Sequence, residues 1–291
     1  MSRNAFRLIL VLSAASAGFA RADSDVLGAR SLAVGESLRA AASGSLATSL
    51  NPAGAAMTRA YVIEGGYGYR PDDKSHIQAV SLCDSVTSRV AACLYYTHLS
   101  ADPSEAGDRS LHEFGITTAV PLGSSLALGV TNRYVSYSES VTEELPIDSS
   151  KKGLLFDAGI MYRVFQPLSL AFVGYNLIGA DDDRYARAIG FGAAFNAADR
   201  LTFAADGRYD FGTEGARYGG GAEYLFSGSE AQAGIPIRAG YVYDAKTSGS
   251  FVTAGAGFIT PRVALDIGAR KQVSEGDELM LQLSLRLFLP N

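Results

Sequence analysis

From Tyr61 to Leu289 the chain alternates apolar residues with small or polar ones in runs of about ten, each closed by a turn. This period constrains the fold more than any other feature, because successive side chains on a strand point to opposite faces. In the last run Leu279, Leu281, Leu283, Leu285, Leu287 and Leu289 share one face, and Met280, Gln282, Ser284, Arg286 and Phe288 share the other. One such strand suits a soluble sandwich with its leucines inward. Repeated about fourteen times behind a secretory signal, it predicts an all-β fold: a transmembrane antiparallel β-barrel, apolar outside and polar within.

Met1–Ala22 reads as that signal. Arg3 and Arg7 form a basic start, Leu8–Ala17 an apolar core, and Ala20-Arg21-Ala22 an A-x-A cleavage site before Asp23. The apolar core is well short of the ~20 residues a helical span needs, and no later run supplies them. A membrane-spanning chain without such helices must close into a barrel. Removing the signal takes away three of the 25 basic residues and none of the 30 acidic ones, leaving a formal charge of −8. That balance offers no nucleic-acid footprint. Tryptophan is absent, so an aromatic girdle must draw on the 15 tyrosines and 14 phenylalanines. No Pro/Ser-rich linker divides the chain, which reads as signal 1–22, a non-alternating head 23–58 and one barrel domain 59–291.

The expected strands are Tyr61–Tyr69, His76–Asp84, Arg89–Thr97, Leu111–Pro121, Ser125–Ser136, Gly153–Val164 and Leu168–Leu177 (whose facing is ambiguous). They continue with Arg187–Phe195, Leu201–Asp210, Tyr218–Phe226, Ile235–Tyr243, Phe251–Thr260, Val263–Arg270 and Leu279–Leu289. Connections after even-numbered strands read as short, such as Phe165-Gln166-Pro167 and Thr260-Pro261-Arg262. Those after odd-numbered strands read as longer and polar, such as Ala101–Arg109, Glu139–Lys152 and Ser274–Asp277. Short periplasmic turns opposite long outer loops are a barrel pattern, with both termini periplasmic.

Charge assigns the facing. Turning each strand's charged residue inward leaves clean outward sets, for example Phe156, Ala158, Ile160 and Tyr162, or Ile235, Ile237, Ala239 and Tyr241. The expected lumen-lining set is then Glu64, Arg89, Glu113, Arg133, Asp157, Arg163, Asp206, Arg208, Glu223, Arg238, Asp266, Arg270 and Arg286. A lone Arg or Lys on the lipid face near the midplane costs about 2–4 kcal/mol, which fixes the register. Mixed signs on the inner wall suit mutual neutralisation, a polar path, or contact with a plug.

Little in the chain points to catalysis. Cys83 and Cys93 fall on facing positions of one hairpin, where an oxidising compartment favours a disulfide; without histidine at ligand spacing they make no zinc site. His98 and Ser100 share a strand face near the outer rim, but a serine nucleophile needs an oriented base and no third group is identifiable. Asp181-Asp182-Asp183 reads as a solvated loop tip, with hard-oxygen binding of a cation as the alternative. Gly219-Gly220-Gly221 lies inside a strand, where glycine marks a bend or close packing. No catalytic residue, metal or cofactor is expected.

The head does not alternate. It runs Gly28-Ala29-Arg30-Ser31-Leu32-Ala33-Val34-Gly35, then an alanine- and serine-rich stretch, then Asn51-Pro52-Ala53-Gly54. These two motifs resemble the opening of the FadL-like outer-membrane transport family and of related PorV-like barrels, and Gly174-Tyr175-Asn176-Leu177 is similar to a strand end common there. Two departures stand out: Glu36 occupies a position where a second glycine is usual, and Ala41-Ala42-Ser43-Gly44-Ser45 replaces an Ala-Asp-Asp run. The resemblance implies that the head is a hatch inside the lumen, with Asn51, Pro52, Ala53 and Gly54 as its anchor. Pro52 restricts Asn51 to extended geometry, and the Asn51 amide can bridge head and wall; an ordinary turn into the first strand is the alternative. It further implies outer-membrane lipid and a hydrophobic small molecule as partners. A non-transporting scaffold docking a periplasmic or surface protein is the second reading, and a barrel lipid hydrolase the third.

Overall fold

The computed structural model describes residues 28–101, 108–140, 148–179, 185–227 and 233–289. The signal, Met1–Ala22, and the acidic run Asp181–Asp183 lie outside the described residues. Fourteen antiparallel strands, each paired with its sequence neighbours, close into a barrel by pairing of the first with the last. They are β1 Tyr61–Arg70, β2 Ser75–Asp84, β3 Ala91–Ala101, β4 Asp108–Leu122, β5 Leu126–Ser140, β6 Asp148–Phe165 and β7 Leu168–Ile178. The second half comprises β8 Ala188–Ala198, β9 Leu201–Asp210, β10 Gly215–Ser227, β11 Gly234–Asp244, β12 Gly249–Ile259, β13 Val263–Gln272 and β14 Leu279–Leu289. At the closing seam Tyr61 faces Leu289 and Glu64 faces Arg286.

Facing follows the alternation. On β14, Leu281, Leu283 and Leu285 are exposed to the outside, while Met280, Gln282 and Ser284 are buried within. No helix among the described residues is long and apolar enough to cross a membrane; the apolar surface of the barrel wall is its outer face.

Four expectations change. Arg89 is not in a strand and does not line the lumen. The Asp84 carboxylate ends β2 by accepting from the N–H groups of Val86 and Thr87 (2.9 and 3.0 Å), and the chain rejoins the ladder only at Ala91, leaving Arg89 exposed in the turn. Loop lengths alternate less regularly than the sequence suggests. The β9–β10 and β11–β12 connections on the long-loop side are tight four-residue turns held by the carboxylates of Asp210 and Asp244, each ending on a left-handed residue, Glu214 and Ser248. The β5–β6 ladder continues to Ser140–Asp148, so the flanks of the Glu139–Lys152 segment are strand. The ambiguous facing of β7 has a physical cause. Phe156 pairs with Ile178 and Ala158 with Gly174, so a bulge spans Tyr175–Leu177, with Asn176 left-handed (φ 52°).

The head enters the barrel as four short elements: a helix at Ala29–Ala33, a 3-10 turn at Arg39–Ala41, a helix at Leu46–Ser49 and a 3-10 turn at Pro52–Ala56. Their apolar side chains pack with inward residues of the wall, Val34, Leu38, Leu50 and Ala53 against Ala127, Met161 and Ala204. A second apolar cluster lies toward the long-loop end, where Leu32 meets Ile77, Leu99, Leu111, Val135, Leu155 and Met280.

Candidate functional site

The candidate site is the contact between head and inner wall. Backbone meets backbone first. A Cβ on Gly219 would lie 1.9 Å from the Gly35 carbonyl oxygen, and one on Gly240 would lie 2.4 Å from the Gly35 nitrogen. The glycine run of β10 is therefore the seat of the head. Gly35 is left-handed (φ 68°), and so is the next residue, Glu36 (φ 55°), which explains why glycine suits that position. Thr253 links head and wall: the Gly35 N–H donates to its Oγ1 (3.0 Å), which donates to the Ala33 carbonyl (3.1 Å).

Asn51 makes the second junction and has no exposed surface. Its Oδ1 accepts from the Ala53 N–H (3.1 Å), starting the 3-10 turn; its Nδ2 donates to the carbonyls of Arg39 in the head and Ile160 on β6 (3.2 Å each). Pro52 lies where a Cβ on Gly129 would be, 2.3 Å from the Pro52 carbonyl carbon, and Gly54 packs on Ala42.

Charge makes the third. Arg30 forks onto Glu223 (3.0 and 2.9 Å), Glu223 accepts from Arg238 (2.5 Å), and Arg238 donates to Asp266 (2.7 Å). Asp266 pairs with Arg286, which approaches Glu64 (4.0 Å). Glu64 in turn accepts from Ser45, so this ladder begins and ends on the head. Arg39 donates to Asp206 (2.9 Å) and to the Tyr175 hydroxyl (2.8 Å), which donates to the Leu50 carbonyl (2.5 Å). Glu36 accepts a fork from Arg217 (2.7 and 2.8 Å) and a further bond from Arg270. Burial drives the Glu36 carboxyl upward, but Arg217 and Arg270 outweigh it and hold it at about 2. Arg30 and Arg39 are pushed above the usual guanidinium range, Arg30 chiefly by Glu223 and Arg39 by Tyr175 and Asp206 against burial.

One network stays within the wall: Arg133 bonds Glu113 (3.3 Å) and the Asn176 amide oxygen (2.6 Å) and approaches Asp157 (3.5 Å), while Tyr95 donates to Glu113 (2.7 Å). The Asn176 N–H also donates to Asp157 (2.7 Å), so this network holds the β7 bulge.

Of the charges expected inward, Glu64, Glu113, Arg133, Asp157, Asp206, Glu223, Arg238, Asp266, Arg270 and Arg286 are brought together in connected sets. Arg208 lies over the Tyr175 ring (4.8 Å), and Arg163 stands in phase with buried Met161 at the short-turn end of β6. Arg30, Glu36, Arg39, Tyr175 and Asn176 make contacts that charge-facing alone does not find. Glu36, standing where glycine is usual, is the visible signal. Cys83 and Cys93 face each other across β2–β3 and are bridged (S–S 2.11 Å), packed with Ala47 and Ala55 of the head. His98 and Ser100 stand on the outward face, away from the lumen. No group of three or more His, Cys, Asp or Glu side chains converges as a metal-ligand set among the described residues.

A cavity of about 60 Å³ remains between the head and β14, β1, β2 and β3, bordered by Ser45, Leu46, Gly66, Ile77, Thr97 and Gln282. Ile77 belongs both to this border and to the apolar cluster toward the long-loop end.

No family model matches the sequence, and no curated protein matches it. Solved structures do match. The monoaromatic hydrocarbon channel CymD superposes with a TM-score of 0.68 at 12% identity, covering 91% of this chain and 98% of that one. The Ralstonia pickettii toluene transporter TbuX gives 0.68 at 12%, covering 91% and 99%, and a Pseudomonas aeruginosa FadL homologue gives 0.64 at 12%, covering 89% and 98%. The chain has the fold of these FadL-like barrels.

Proposed function

We propose that this chain is an outer-membrane barrel, reached after signal removal, that passes a hydrophobic small molecule through a lumen closed by residues 23–58 as a hatch. The observation that carries the reading is the apolar cluster of Ile77, Leu99, Leu111, Val135, Leu155 and Met280, turned inward at the long-loop end and resting on Leu32 of the head. These residues are buried between head and wall, so displacement of the head would uncover an inward apolar surface, which suits a cargo that leaves water. The similar folds of a hydrocarbon channel and a toluene transporter support the same class of cargo. Capture would occur at the long-loop end, passage would follow displacement of the hatch, and release would be inward or sideways into the membrane. Asn51, Pro52, Ala53 and Gly54 would hold the hatch closed.

Uptake of a labelled hydrophobic compound, by cells lacking their own carriers, tests the proposal. Expression of this chain should raise uptake above the empty control. If uptake of every hydrophobic compound tried is unchanged while a periplasmic or surface protein co-purifies stoichiometrically, and deletion of Asn51–Ala53 releases that protein, the scaffold reading replaces transport.

A further inference from the structure

The chain has three histidines, and all of them stand on the outward face of β2–β4 near the long-loop end. Two of them, His98 on β3 and His112 on β4, are direct cross-strand partners, with ring centroids 4.4 Å apart and planes 21° from parallel. Directly opposed residues on one face have Cβ atoms about 4.5–5.5 Å apart, which makes the two imidazoles immediate neighbours. Their hydrogen bonds matter as much as their spacing. His98 Nδ1 lies 3.3 Å from the Leu111 carbonyl, an acceptor only, so this nitrogen donates, which in the neutral ring leaves the lone pair on Nε2. A ring N–H held by a backbone carbonyl is the usual support of a metal-binding imidazole. His112 Nδ1 is held by the Tyr96 hydroxyl (2.8 Å), and its Nε2 faces the Ser110 hydroxyl (3.3 Å).

We infer that His98 and His112 form a two-nitrogen site for a divalent transition-metal ion, Cu²⁺ or Zn²⁺, on the outer surface of the barrel. Imidazole suits these ions, with copper bound most tightly of the first-row divalent series. Rotating the two rings out of their stacked arrangement turns both Nε2 lone pairs toward one ion, at the ~2.0–2.1 Å of a Zn–N bond. Water fills the remaining positions, since no third histidine, cysteine or carboxylate converges there among the described residues. His76 is no member of the site: it lies diagonally across β2, opposite Ser100 rather than His98, and bonds the Tyr67 hydroxyl (2.6 Å). Sequence spacing does not show the site, because strand pairing alone joins its ligands. Bound metal would tie β3 to β4 at the rim.

The test uses the full mature chain, purified in detergent and titrated with Cu²⁺ alone. Wild type should bind one ion per chain, with nitrogen hyperfine structure in its EPR spectrum. His98→Gln and His112→Gln should each weaken binding by ~10-fold or more, while His76→Gln leaves it unchanged. No binding by wild type, retention of wild-type affinity in the doubly substituted chain, or equal weakening by His76→Gln would overturn the inference. A second measurement needs no variant. Saturating Zn²⁺ should protect His98 and His112, but not His76, from diethyl pyrocarbonate; uniform protection, or none, overturns it equally.

Discussion

A Cβ placed on Gly159 of β6 would lie 2.2 Å from Oδ1 of Asn51 in the head. Asn51 is thus set against bare backbone at a point where the wall admits no side chain. Gly159→Val should push the Asn51–Pro52 segment off β6 and break the bond from the Asn51 amide to the Ile160 carbonyl, while the barrel still closes. Overpacking of this kind costs about 1–3 kcal/mol. The variant should keep heat-modifiable gel mobility yet admit small polar solutes, read as greater sensitivity to a small hydrophilic antibiotic; unchanged permeability would show that this contact does not hold the head.

Glu36 is the counterion of Arg217 and Arg270, both otherwise carried by the wall. Glu36→Ala strips buried Arg270 and half-buried Arg217 of a shared partner, and loss of the buried Arg270 pair costs about 3–5 kcal/mol. Its thermal midpoint in detergent should fall below that of wild type. An unshifted midpoint would mean that Asp244 and Glu278 suffice for the two arginines.

The same carboxylate gives a pH signature. Its folded value, about 2, lies below the ordinary 4.5, so its contribution is present above the ordinary carboxylate range and is lost as pH falls from about 4.5 toward about 2. Wild type minus Glu36→Gln, measured as melting temperature across that window, should shrink with acid; a flat difference would contradict the assignment.

The Arg30–Glu223–Arg238 ladder predicts an asymmetry. Glu223 serves two arginines, whereas Arg30 is held by Glu223. Glu223→Leu should therefore cost more than Arg30→Met, and the double variant should cost less than the sum by about 1 kcal/mol or more. Additive losses in a denaturation cycle would show that the pair is not coupled.

The bridge between Cys83 and Cys93 closes a sequence separation of 10, for which chain entropy gives a ceiling of about 2–3 kcal/mol. Because β2 and β3 are already paired, Cys83→Ala with Cys93→Ala should lower the melting temperature modestly and leave the barrel closed. Collapse of the fold would show that the bridge is essential to assembly.

The barrel was legible because its determinants are local. The period of two, the leucines of β14 and the inward charges each speak for their own strand, so the facing of most strands follows from alternation without knowledge of the partner strand. Contacts between distant segments were not legible. Nothing near Gly219-Gly220-Gly221 says that Gly35 will rest there, and nothing near Arg217 names Glu36 as its partner. Arg89 misled because alternation runs on through a turn whose start is set by one Asp84 side chain. The inward apolar cluster was hidden for a related reason: reading charge as inward says nothing about strands whose outer-end inward residues, such as Leu111 and Val135, carry none.

Passage of an apolar cargo over that cluster is the central claim, and Leu111→Glu tests it most directly. Leu111 is buried at the long-loop end of the lumen, where substitution alters the passage more than the lipid face. In carrier-deficient cells with equal amounts of heat-modifiable barrel, uptake of a labelled hydrophobic compound should rise with wild type and return to the empty control with Leu111→Glu. Equal uptake by the two proteins would contradict the account.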